Sequence, residues 1–204
     1  MTDKAYFFQL YRDKFKPRIL TPLQVTNLCT LIDVFDSDKY IRDHRQFAYL
    51  LATVFHECNA EWKPIAEYGK GRGRRYGRPD KVTGQTYYGR GYVQLTWKYN
   101  YQAMSAVVGE DLVNQPNKAM IPDIATKIIF YGMRHGTFTG RNLNRYINEK
   151  KCDYRNARRI INGTDKASLI AGYARKFEAC IRELPQATAI EGINKDSPNS
   201  KKAT

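Results

Sequence analysis

The chain has 204 residues, 42% hydrophobic and 26% charged, with 34 Lys and Arg against 20 Asp and Glu for a formal charge of +14. Those values suit one folded domain, with or without a tail, and exclude a chain too polar to bury a core. No run of eighteen apolar residues offers a membrane span, and the opening "MTDKAYFFQLYRDKFKPRIL" lacks an apolar segment with a small-residue cleavage site, so no conventional signal peptide is expected.

The first clear helix signal is "TPLQ". Thr21 can cap, Pro22 suits the first helical position and Gln24 completes a capping box, after which Val25, Leu28, Ile32 and Phe35 recur at helical spacing. A second helix carries Phe47, Leu50, Leu51, Val54 and Cys58 as its apolar stripe. Residues 59–91 lose periodicity and are rich in glycine, which predicts a long irregular region with a short hairpin near "TYYGRGYVQL". Helical patterning returns from Tyr99 to Val108 and stops at Gly109; another helix starts near Pro122 and runs to Tyr131. The last follows "NGTD", with Ala167, Ile170, Ala174, Phe177, Ile181 and Leu184 on one side and Pro185 as its stop. Residues 186–204 are polar and aperiodic and read as a mobile tail, leaving one mainly helical domain over residues 1–185.

The four cysteines form no CxxC pair, so free thiols are expected. "HECNA" opens like a zinc-protease motif, but Ala60 stands where the second histidine would be and only His44, His56 and His135 exist, so neither a metal nor another cofactor is expected. The excess positive charge favours anionic partners. Its densest run, "KGRGRRYGRPDK" at residues 70–81, reads equally as a solvated loop, and no nucleic-acid-binding module brackets it.

The stretch "FHECNAEWKPIAEYGKG" holds Glu57, Glu61 and Glu67. Glu57 falls at the margin of the apolar stripe. A carboxyl half covered by apolar neighbours keeps its proton and can act as a general acid, whereas one at a wet helix end, or paired with Arg or Lys, need not. Glu67, among glycines and near arginines, suits an exposed cleft wall where it stays ionised and can draw a proton from water. Glu61 is the rival if the helix continues past Glu57. Two carboxylates in opposed environments are the chemical pattern of glycoside hydrolysis. "GQTYYGRGYVQLTWKYNY" adds rings for sugar faces and polar groups at Gln94, Thr96 and Asn100, although a core hairpin leading into a helix would look the same.

The pieces "AYLLATVFHEC", "PIAEYGKGRGRRYG", "YYGRGYVQLTWKYNY", "GMRHGTFTG" and "ARRIINGTD", in this order over residues 21–184, resemble family 19 glycoside hydrolases, and particularly their bacteriophage endolysin branch. The resemblance implies a mainly α, lysozyme-like α+β domain with a central substrate cleft and a small irregular, hairpin-bearing region. It implies inverting hydrolysis of β-1,4 bonds in an N-acetylated glycan, with Glu57 as general acid, Glu67 as general base and Thr96 holding the attacking water. His56, Tyr88, Gln94, Tyr99, Asn100 and Asn162 would bind substrate. Many members read "HET" where this chain has "HEC", which puts Cys58 beside the acid. Peptidoglycan is the expected substrate, with anionic envelope contacts, no nucleic acid, no stable membrane insertion and a monomeric chain. The expected setting is the host bacterial cytoplasm before lysis, then the periplasm and wall. A chitinase acting on N-acetylglucosamine polymers and a non-enzymatic cationic glycan- or nucleic-acid-binding protein are the alternatives.

Overall fold

The computed structural model describes residues 1–181. The expected helix position at Leu184, the stop at Pro185, the domain limit there and the tail 186–204 lie outside the described residues.

Helix α1 (Lys4–Lys14) is set by Asp3, whose side chain accepts from the Tyr6 amide. Helix α2 (Pro22–Ser37) begins on the expected capping box: Thr21 Oγ1 accepts from the Gln24 amide at 3.3 Å and Gln24 Oε1 accepts from the Thr21 amide at 2.8 Å. Helix α3 (His44–Glu57), capped by Asp43, forms the centre of the molecule. Every residue from Phe47 to Phe55 is buried, so the expected stripe is a helix covered on all faces. It ends at Glu57, and Cys58 is its cap rather than its last apolar position.

Strand β1 (Ile65–Ala66) pairs antiparallel with β2 (Arg90–Gly91), Ile65 opposite Gly91 and Ala66 opposite Arg90. The expected hairpin is smaller than a pair of full strands: a turn at residues 92–94 closed by the Arg90–Leu95 bridge. Helix α4 (Lys98–Val108) ends at Gly109 in the left-handed conformation. Helix α5 (Pro122–His135) runs past the expected end at Tyr131, to Gly136, again left-handed. The short α6 (Leu143–Tyr146), the ribbon β3 (Ile147–Asn148) with β4 (Lys151–Cys152), and α7 (Tyr154–Ala157) lead into the final helix α8 (Ala167–Cys180).

Helix α8 lies along α3 and also packs on α1, while α5 contacts α2 and α4. An aromatic cluster locks α1 to α8 and to the segment that follows α3. Phe15 and Phe177 have ring centroids 4.6 Å apart, Trp62 meets Phe177 edge-on at 5.6 Å, and Trp62 Nε1 donates to Tyr11 Oη at 3.1 Å. Trp62 thus fixes the chain just after α3, where Asn59, Ala60 and Trp62 all have positive φ. All four cysteines are free. Among the described residues no helix is long and apolar enough to cross a membrane, and no group of three His, Cys, Asp or Glu could hold a metal ion.

Candidate active site

Glu57 occupies the last position of α3, and its surroundings are ionic. Arg158 Nη1 lies 2.5 Å from Glu57 Oε1, with the arginine side chain 4% exposed and the glutamate side chain 17%. Of the two environments expected for this carboxyl, apolar cover or pairing with Arg or Lys at the helix end, the structure has the second: the fully buried part of α3 stops at Phe55, and the Arg158 guanidinium faces Glu57. Arg158 is itself held by Nε donating to the Asp165 carbonyl at 3.1 Å, and its own carbonyl accepts from the Asn162 amide at 3.0 Å. One arginine thus ties the helix end to the loop that carries Asn162. Asn162 is exposed, its Oδ1 accepting from the Gly163 amide at 2.8 Å. His56 is half-buried beside the same group, and burial pushes its pKa below the ordinary imidazole value.

Glu67 follows β1 directly and is half-buried. Tyr76 Oη donates to its Oε1 at 2.9 Å, the Gly89 amide donates to its Oε2 at 3.1 Å, and the Glu67 amide returns a bond to the Gly89 carbonyl at 2.7 Å. Its partners are a phenol and a backbone amide, and it is half-buried where an exposed wall was expected. Burial and then the bond to Glu67 push the Tyr76 pKa up, so the phenol remains a donor. Glu61, the rival, is excluded from a shared helical face with Glu57 because the helix ends first; it is exposed and accepts from Gln24 Nε2 at 3.3 Å.

The other predicted groups gather on the Glu67 side. Gln94 Nε2 donates to the carbonyls of Ile65 and Gly91, both at 3.2 Å, and so clamps β1 to β2; this amide builds the ribbon next to Glu67. Thr96 is half-buried, and its carbonyl accepts from Asn100 Nδ2 at 2.9 Å. Tyr99 is 65% exposed and stacks on Trp97, 38% exposed, at 6.4 Å. Trp97 in turn meets Tyr76 edge-on at 5.4 Å, giving a line of rings that ends on Glu67. Trp97 holds φ 71° and ψ 134°, a conformation costly for a residue with a side chain. Tyr88 does not join this exposed line. It is 8% exposed and its ring lies under the Arg90 guanidinium at 3.5 Å, so it supports the wall from behind.

Three residues here were not singled out from sequence, Arg158, Tyr76 and Arg90. Arg90 is buried and neutral groups satisfy it: Asn117 Oδ1, the Thr86 carbonyl and Tyr101 Oη, all within 3.0 Å. Cys58, beside Glu57, packs toward the ribbon next to Glu67. Its Sγ lies 4.0 Å from the carbonyl of Tyr92, the residue after β2. Burial keeps this thiol protonated, so a cysteine after Glu57 brings an apolar packing group and not a second anion.

Residues 37–135 match the family model for chitinase class I, glycoside hydrolase family 19. Endochitinase CH5B of Phaseolus vulgaris is 50% identical over 86 residues, covering 36% of this chain, and Chitinase 11 of Oryza sativa subsp. japonica is 38% identical over 77 residues, also 36% of this chain. The chain spans only 26% and 28% of those relatives' lengths. Among solved structures, a bacterial family 19 chitinase aligns over 87% of this chain and 94% of its own, at a TM-score of 0.57 and 24% identity. Chitinase C of Streptomyces griseus HUT6037 aligns over 87% and 76%, at 0.56 and 20%. The chain has the fold of these chitinases. The matched segment contains Glu57, Glu67, Thr96 and the exposed rings; Arg158 and Asn162 lie beyond it.

Proposed function

We propose that this chain is a glycoside hydrolase cutting β-1,4 bonds between N-acetylated sugars with inversion, using Glu57 as general acid and Glu67 as general base. The carrying observation is the contrast between the two carboxylates: Glu57 against a buried guanidinium, and Glu67 held by Tyr76 Oη and the Gly89 amide beside exposed Trp97 and Tyr99. Tyr76 and Gly89 each take one Glu67 oxygen, which fixes the carboxylate plane while leaving lone pairs for a water. The rings offer flat apolar faces on which sugars stack, a contact that needs no charge. In the reaction, protonated Glu57 gives its proton to the glycosidic oxygen, and Arg158 Nη1 offsets the charge of the carboxylate left behind. Glu67 removes a proton from the water attacking the opposite face, and Thr96 helps hold that water. Inversion needs room for the water, so the carboxyl groups stand about 6.5–9.5 Å apart in the working enzyme.

The relatives' names support N-acetylglucosamine polymers as substrate. Peptidoglycan, cut by an endolysin that reaches the wall once the inner membrane has been opened, is the second reading. The +14 charge favours it, because an anionic envelope attracts such a field and a neutral polymer does not.

Glu57→Gln and Glu67→Gln test the roles. Each is expected to lower release of new reducing ends by roughly a hundred- to ten-thousandfold in a folded protein, with the melting temperature nearly unchanged for Glu67→Gln and lowered for Glu57→Gln, which leaves buried Arg158 without its counter-charge. Normal turnover in either folded variant removes that residue from the mechanism, and products cut only at amide bonds remove the glycosidase reading.

A further inference from the structure

On the Glu57 side a recess of about 480 Å³ is lined by Arg155, Arg159 and Lys166, with Asn156, Thr164 and Ser168. Arg155 and Arg159 both open into it, while Arg158 between them turns inward to Glu57. No carboxylate lines this recess, and among the described residues none lies within ion-pair distance of these three cations. Two acids neighbour them in sequence: Asp153 bonds Asn156 through both carboxylate oxygens and lies within electrostatic reach of Arg155, and Asp165 precedes Lys166 without lining the recess. Lys98 and Lys118, by contrast, are offset by Asp80 at 2.9 Å and by Glu110 at 2.7 Å. Arg159 also lines an adjoining recess of about 330 Å³ with Arg141 and Asn162. Cations with no ion-pair partner among the described residues therefore border the asparagine expected to hold sugar.

We propose that this recess is an anion subsite that takes a carboxylate carried by the glycan, which makes an acidic N-acetylated β-1,4 glycan, rather than a neutral one, the preferred substrate. The proposal rests on the hydrolase reading above. Two guanidiniums match a carboxylate in shape as well as charge, and the hydroxyls of Thr164 and Ser168 add donors. A duplex or a lipid surface presents phosphates across a broad face. Three cations in one recess beside Asn162 instead match a single anionic substituent on a strand that already passes that residue.

The test measures binding on the Glu57→Gln protein, so that cutting does not enter. The probes are the neutral N-acetylglucosamine hexamer and peptide-free strands of the same backbone with lactyl-ether carboxylates on alternate sugars. The carboxylated strands are expected to bind about tenfold more tightly at low salt, and the added Arg155→Gln, Arg159→Gln and Lys166→Gln substitutions to abolish the preference. If that variant does not fold, Lys166→Gln alone decides, with an expected drop in preference of about threefold. Equal affinity for the two glycans, a preference that survives in the folded variant, or tighter binding to a short DNA duplex or to phosphatidylglycerol vesicles overturns the proposal. Reducing-end release by the unmodified chain tests the hydrolase reading separately: a chain that prefers carboxylated strands and cuts nothing keeps the subsite and loses that reading.

Discussion

Arg158 carries two tasks that a lysine could not share. Its Nη1 meets Glu57 while its Nε stays on the Asp165 carbonyl, and the planar fork fixes both directions at once. Arg158→Lys keeps the charge and loses the fork. It is expected to lower kcat on a soluble N-acetylglucosamine oligomer about tenfold or more, since small misplacements of an acid are costly, while KM changes less. Steady-state kinetics beside a melting curve checks this; a fall in stability with unchanged kcat would make the contact purely structural. His56 next to it predicts a pH effect. Burial holds its folded pKa below the ordinary value near 6.5, so the unfolded chain binds the proton more readily and stability falls as pH drops through about 6.5 toward the folded value. Denaturant melts between about pH 7.5 and pH 5.5 should show that loss, and His56→Gln should flatten it.

At the scale of elements, the helices that announced themselves carried chemistry at their ends. Thr21 with Gln24 and Gly109 could be read because caps are local. Helix α1 could not, since its buried face amounts to Phe7 and Tyr11 among charged residues, and its packing partner α8 is far along the chain. The basic loop at residues 70–81 was equally opaque. Its glycines do more than loosen it: a Cβ on Gly77 would lie 2.1 Å from the Gly71 carbonyl oxygen, so two backbone segments touch there and set Tyr76 on Glu67. Gly77→Ala must push them apart. Expected is a fall in kcat/KM of about tenfold with a melting shift of only a few degrees, because the strain stays in a surface loop. Turnover equal to the unmodified chain would mean that the loop does not position Tyr76.

At the scale of the whole molecule, the site was half legible. Glu57 and Glu67 stand in one short stretch whose residue types point to acid–base chemistry, but the guanidinium that faces Glu57 comes from 101 residues away, and no local pattern marks Arg158 among so many basic residues. The same excess has a consequence of its own. A charge of +14 extends an attractive field toward an anionic polymer, and salt shortens its reach to about 8 Å at physiological strength. Raising NaCl from about 50 to about 300 mM should therefore cut the rate on an anionic cell-wall suspension about tenfold and the rate on the neutral hexamer less than about twofold. The two rates are measured on one enzyme preparation across the same salt series. If they fall together, salt acts on the site itself and the field contributes nothing; if only the wall rate falls, long-range attraction delivers the substrate and the two carboxylates cut it afterwards at their own salt-independent pace.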